Sequence, residues 1–340
     1  MARALLPSSS RRGLVAALLS LAALATAPLP GRADEAITDP QSAAEDSGAA
    51  FAMLDWEWHD TARDRAVPVR LYLPQGASAA QPVPLVVFSH GIGGSRAGYS
   101  YLGRFWASHG YASLHVQHVG SDRRVWLGSP FALVSRLRDA ASEAEAIARA
   151  RDLHFALDQL LAGETAPRID AERIVAAGHS YGANTTLLAA GAQVERDGRR
   201  LDFRDPRIKA AILISAPPFY GESDPARVLA NVTVPTLHVT CTDDVIRIPG
   251  YYSAAADRLV VFDAIGGPRK TLAVFAGGSH SVFTDRAGTG GATLNPQVKE
   301  ATRKLSLAFL QDVLDGQDGA LRQWPAQFAG IVARYTRVGM

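Results

Sequence analysis

The sequence carries a single cysteine, Cys241, which excludes an intrachain disulfide and any cluster of cysteine metal ligands. It lies in an apolar stretch, 236–241, that reads as a buried strand, so an inert thiol is expected. An excess of either charge is also missing. Lys and Arg number 35 against 33 Asp and Glu, a formal +2, and no run of five like charges occurs. That balance excludes the basic stripe of a nucleic-acid-binding surface and the polybasic segment of a membrane-surface protein. The apolar run 13–27 is about 15 residues long, short of the about 20 a membrane span needs. Internal repeats, coiled-coil heptads and a second domain boundary are absent as well. What is present is ordinary globular composition, 47% apolar and 20% charged over 340 residues, enough for one large core.

The amino terminus differs from the rest. Arg3, Arg11 and Arg12 stand without an acid before the apolar run, and small residues and prolines follow up to Ala33. This is the pattern of a secretory signal peptide over 1–33, with a loose twin-arginine match at Ser10 to Val15. Its removal takes four arginines (3, 11, 12 and 32) and no acids, so a formal +2 becomes −2. No lipid-anchoring cysteine stands near the cleavage region, so no stable membrane anchor is expected. Residues 34–50, rich in Ala, Asp, Glu, Ser and Gly, read as a flexible leader. An exported, periplasmic or secreted protein is expected.

The rest of the chain is organised around Gly178-His179-Ser180-Tyr181-Gly182. The apolar run 174–177 precedes it and a helical pattern, 183–190, follows, so the G-x-S-x-G stands in strand–turn–helix context. A serine on so sharp a turn has its hydroxyl clear of both elements, and side chains at 178 and 182 would collide with them. Ser180 is the candidate nucleophile; a serine that only caps the helix is the alternative. Around this turn the pattern alternates. Strands are expected at 67–73, 85–88, 111–116, 208–215, 234–241 and 271–275. Helices are expected at 99–108, 138–161, 251–259 and 295–314, with a weaker one at 321–335. Irregular segments are expected at 118–131 and 216–231, and a polar link at 195–206. The short continuous apolar strands are those of a parallel sheet covered on both faces, so 51–340 reads as one doubly wound α/β domain.

Serine at neutral pH needs a base, and the base needs an acid to set its tautomer. On such a sheet these follow at the ends of later strands, acid before histidine. Strand 234–241 delivers Thr242-Asp243-Asp244 and strand 271–275 delivers Ala276-Gly277-Gly278-Ser279-His280. Asp244 is preferred as the acid for its spacing to Ile246 and Pro249, with Asp243 as fallback; the pair could also cap a helix at Tyr251. His280 is the base. His90 and His179 are read as loop braces and His109 as a helix end, while His115 and His118 with Asp122 form a weak metal alternative. Two amides should bind a developing oxyanion: Tyr181, after the nucleophile, and Ile92, in the glycine-rich loop 89–94. No cofactor is expected.

The blocks 84–94 (PLVVFSHGIGG), 107–111 (ASHGY) and 178–182 (GHSYG) resemble the α/β-hydrolase superfamily. Within it the chain is similar to plasma-type platelet-activating factor acetylhydrolases and dienelactone-hydrolase-like esterases over about 67–285. The resemblance implies an α/β-hydrolase fold and serine esterase chemistry, with Ser180, Asp244 and His280 as triad and Ile92 and Tyr181 as oxyanion donors. Two departures stand out. Dienelactone hydrolases use a cysteine nucleophile where this chain has Ser180, and 118–131 matches nothing familiar. The block 236–249 also faintly resembles bacterial cutinases and polyester hydrolases. The expected substrate is a short-acyl small-molecule or lipid ester. Ile92, Trp126, Phe131, Phe219 and Tyr220 are candidates for an apolar pocket. An amidase or peptidase on the same fold, or a non-catalytic binding protein, are the alternatives.

Overall fold

The apolar runs of the sequence become the centre of the sheet because both of their faces are covered. In the computed structural model, which describes residues 50–248 and 250–339, Leu85 and Val87 face one hydrophobic layer and Val86 and Phe88 the other. The signal peptide expected over 1–33 and all but the last residue of the leader expected over 34–50 lie outside the described residues, as does Pro249.

In chain order the elements are β1 (Phe51–Asp60), β2 (Arg65–Pro74), β3 (Val83–Ser89), α1 (Ser100–Ser108), β4 (Ala112–Val116), α2 (Leu133–Ala140), α3 (Glu143–Ala162) and β5 (Ile169–His179). Then come α4 (Tyr181–Ala190), β6 (Gln193–Arg196), β7 (Arg199–Asp202), β8 (Ile208–Ile214), α5 (Pro225–Leu229), β9 (Thr236–Asp243), β10 (Ile246–Ile248) and β11 (Tyr251–Ser253). The chain ends with α6 (Ala256–Ala264), β12 (Lys270–Ser279), α7 (Leu294–Asp315), α8 (Gly319–Gln327) and β13 (Val332–Val338). Nine strands form one sheet in the order β1-β2-β4-β3-β5-β8-β9-β12-β13. Neighbours from β4 to β12 are parallel; β1, β2 and β13 are antiparallel to theirs. Leu102, Phe105 and Trp106 of α1 pack with α7 on one face, and Leu153, Ala156 and Leu157 of α3 on the other. This is the expected α/β-hydrolase architecture, a mostly parallel sheet between helices.

Several elements differ from expectation, each for a physical reason. The helix expected over 138–161 is two helices, α2 and α3, broken at Ala141-Ser142. There the Ser142 hydroxyl accepts from the Glu145 amide (3.3 Å), the first half of an S-x-x-E capping box. The polar link 195–206 contains the β6–β7 hairpin. Asp197 and Gly198 both have positive φ (50° and 71°), as a two-residue type I′ turn requires. The helix expected from Tyr251 starts at Ala256, because Tyr251–Ser253 pairs with β10. The weak helix over 321–335 divides into α8 and β13, which pairs antiparallel with β12 and brings Tyr335 against Trp324. Strand β1 was not expected. Its Leu54, Trp56 and Trp58 pack on the core beside β2.

Candidate active site

The turn after β5 is built by its small residues. A side chain at Gly178 would run into the Gly182 carbonyl, and one at Gly182 into the Ser89 carbonyl. Ser180 between them has φ 56° and ψ −124°, outside the region open to L residues at low cost. Such backbone stores about 1–3 kcal/mol, held by the surrounding packing. Its hydroxyl makes no capping bond to α4.

Instead the Ser180 Oγ lies 2.7 Å from His280 Nε2, and His280 Nδ1 lies 2.7 Å from Asp244 Oδ1. Asp244 is fully buried and its other oxygen accepts from the hydroxyls of Ser215 (2.5 Å) and Thr240 (2.7 Å). Arg258, also buried, donates to Oδ1 at 3.3 Å. Burial pushes the Asp244 carboxyl up. The hydrogen bond and charge of His280, the Arg258 cation and the Ser215 hydroxyl more than reverse this, holding it well below the usual range. The Asp243 side chain is exposed and bonds only that of its neighbour Thr242 among the described residues, and the pair caps no helix. The three strand ends thus bring Ser180, His280 and Asp244 into one hydrogen-bonded chain. With an acceptor on Nδ1–H, the imidazole is held in the tautomer whose Nε2 can take the serine proton.

The loop 89–94 lies over this turn. A side chain at Gly91 would press on Ser180 and His179. The Gly91 amide donates to the Tyr99 hydroxyl (3.3 Å), Gly93 to the Ser121 carbonyl (2.8 Å) and Gly94 to the Gly91 carbonyl (3.0 Å). Between them, the Ile92 amide donates to no acceptor among the described residues. Ile92 and Tyr181 line the same cavity as Ser180.

His179 and His90 are braces, as their neighbours suggested. His179 Nε2 donates to the His280 carbonyl (3.0 Å), so its Nδ1 accepts from the Tyr99 hydroxyl (2.8 Å). Burial, and next the nearby His280, push its pKa down to about 3, so the ring is neutral. His90 Nδ1 donates to the Gly91 carbonyl (2.7 Å) while Nε2 accepts the His118 amide (3.1 Å). The metal alternative does not assemble. The His115 ring faces Ser113 and the Gly98 carbonyl, His118 faces Asp152 and Ser89, and Asp122 bonds Gln117 and Arg124. Of the expected pocket residues, Ile92, Phe219 and Tyr220 are walls of the cavity; Trp126 and Phe131 are exposed outside it.

Sequence reasoning missed two buried arginines. Arg258 holds Asp244. Arg149 donates to the His90 carbonyl, to Ser121 Oγ (2.7 Å) and to Thr185 Oγ1 (3.0 Å), and its guanidinium lies 4.5 Å from the Tyr181 ring centre. It ties the loop 89–94 to the start of α4. A signal existed, since Arg149 precedes Leu153 by one turn on the apolar stripe of α3, and Arg258 precedes Val261 and Phe262 on α6. Arg149→Met takes the charged donor from the buried His90 carbonyl and leaves the Ser121 and Thr185 hydroxyls only the bonds they donate, to Glu145 and to the Tyr181 carbonyl, and is expected to cost about 3 kcal/mol in urea unfolding.

The family model for platelet-activating factor acetylhydrolase, isoform II, matches residues 66–124, from β2 through the loop 89–94 to the segment beyond β4. No curated protein matches the chain. The match supports a relation to an acetylhydrolase family of the α/β-hydrolase superfamily, and a serine ester hydrolase in general.

Proposed function

We propose that the protein is an exported carboxylic ester hydrolase that works through an acyl-enzyme on Ser180. The observation that carries this reading is the hydrogen-bonded chain Ser180–His280–Asp244, whose serine lines an apolar cavity of about 240 Å³. Ser180 Oγ attacks the ester carbonyl carbon as its proton passes to His280 Nε2. The oxyanion takes hydrogen bonds from the Ile92 and Tyr181 amides, worth about 3 kcal/mol each in turnover. When the carbonyl re-forms, the C–O bond to the alcohol breaks and the departing alkoxide takes the proton from His280. Water, deprotonated by the same nitrogen, then attacks the acyl-Ser180 ester; the bond from the acyl carbon to Oγ breaks, Oγ takes the proton back from His280, and the acid is released. Asp244 stays ionised throughout and stabilises the imidazolium. The amino-terminal pattern over 1–33 supports export.

The test pairs p-nitrophenyl esters with p-nitroanilides of the same acids on the mature protein, and locates a fluorophosphonate adduct by mass spectrometry. Ester hydrolysis far above anilide hydrolysis, with the adduct on Ser180, is expected. Faster anilide cleavage would turn the reading to an amidase, and a folded protein that takes no label would leave a binding role.

A further inference from the structure

The cavity is longer than a short acyl group needs. Ser180, Ile92 and Tyr181 form one end; Leu188, Val194 and Phe203 line it farther on. Between these ends runs one stripe of α4, with Tyr181, Asn184, Thr185 and Leu188 at i, i+3, i+4 and i+7. At the helical rise, Tyr181 to Leu188 covers about 10 Å. That is the length of an octanoyl chain, and an acetyl group fills only its beginning.

The walls take no charged ligand. Arg196 on the wall is ion-paired with Glu143, also on the wall, and with Glu222, and Asn184 Nδ2 donates to the Pro217 carbonyl (3.1 Å), leaving its buried Oδ1 as a neutral acceptor with no partner among the described residues. The same ion pairs pin the β6–β7 hairpin, which supplies Val194, Leu201 and Phe203, as a roof over the far part of the cavity. The cavity also has a side. His280, which must face the departing alkoxide, is not among its walls, whereas Tyr181, which faces the oxyanion, is. The alcohol therefore leaves on the His280 side, and the cavity lies on the side of the acid.

Resting on the reading of the site as an esterase, we infer that this cavity is the acyl subsite and that it takes uncharged medium-chain acyl groups of about octanoyl length. This is longer than the short acyl group that the sequence suggests.

Initial rates across p-nitrophenyl acetate, butyrate, octanoate and palmitate test it. Specificity constants should rise by about fourfold per methylene while the chain is inside the cavity, then fall at palmitate. Val194→Trp fills the far part; it should lower octanoate hydrolysis by about tenfold or more and leave acetate within about twofold. Leu201→Trp repeats the block from the other hairpin strand if Val194→Trp loses acetate activity as well. Ethyl octanoate against octyl acetate separates the two sides of the ester, and preference for octyl acetate overturns the assignment. A profile highest at acetate, or octanoate hydrolysis indifferent to both blocking variants, also overturns it while leaving the esterase reading intact. If no ester is cleaved, the esterase reading has failed. Binding by the Ser180→Ala protein still decides the cavity: octanamide, and not acetamide, should raise its Tm, and Val194→Trp should remove that rise.

Discussion

Ser180→Ala is expected to lower ester turnover by about 10⁵-fold or more, with the fold retained. The size of the loss follows from what the side chain does. Without Oγ there is no atom to carry the acyl group, and the proton shuttle of His280 has nothing to activate 2.7 Å away. What remains is binding and the Ile92 and Tyr181 amides proposed to hold the oxyanion, which belong to the backbone and survive the substitution. The fold should survive because the turn does not depend on the hydroxyl. Its shape is set by Gly178 and Gly182 and by the Ser180 amide, which donates to the Ile214 carbonyl at 2.9 Å. Alanine meets the same positive φ as serine, so stability should stay within about 1 kcal/mol. Turnover of p-nitrophenyl esters, fluorophosphonate labelling and thermal unfolding together check this. Ester hydrolysis near the wild-type rate in a purified variant would falsify the nucleophile assignment.

The parts of this site that a reader of the sequence can find are those whose signal is local. The strand–turn–helix around Ser180 is written in one pentapeptide between an apolar run and a helical pattern, although Gly182 is also demanded by the distant Ser89 carbonyl, and the doubly covered strands are continuous apolar runs whatever packs on them. Some local signals went unread. Asp197-Gly198 between two short polar strands is a hairpin turn, Ser142-x-x-Glu145 is a helix start, and Met53 to His59 alternates as a half-buried strand does. Other features are not local at all. Val332–Val338 is a strand because β12 offers it an edge, and nothing nearby in sequence states that edge. The supports of Asp244 are of the same kind. Ser215, Thr240 and Arg258 come from the end of β8, from β9 and from α6, and they meet only when the sheet is assembled.

Those supports decide the second large effect, the ranking of the two adjacent acids. Asp244→Asn is expected to reduce the specificity constant by about 10³-fold or more, and Asp243→Asn to stay within about twofold of wild type. The asparagine has two ways to sit, and both fail. With its amide nitrogen toward His280, the imidazole must turn its bare Nδ1 inward and hold its proton on Nε2, where it can no longer accept from Ser180. With its oxygen toward His280, the tautomer is kept, but the negative charge that steadies the imidazolium is gone, and the buried Arg258 cation is left beside it without compensation. Asp243 faces solvent and touches none of these groups. The same variant carries a pH signature. Because the folded Asp244 pKa lies below the unfolded value near 3.8, its contribution to stability is present above that pH and is lost as the pH falls further. Asp244→Asn should therefore be less stable than wild type at neutral pH, and the gap should narrow as acid is added below about pH 4. Urea midpoints at pH 7 and pH 3, read beside the kinetic ranking, separate a buried structural carboxylate from one that also serves the histidine. A structural role alone moves the midpoints and leaves turnover per folded molecule unchanged.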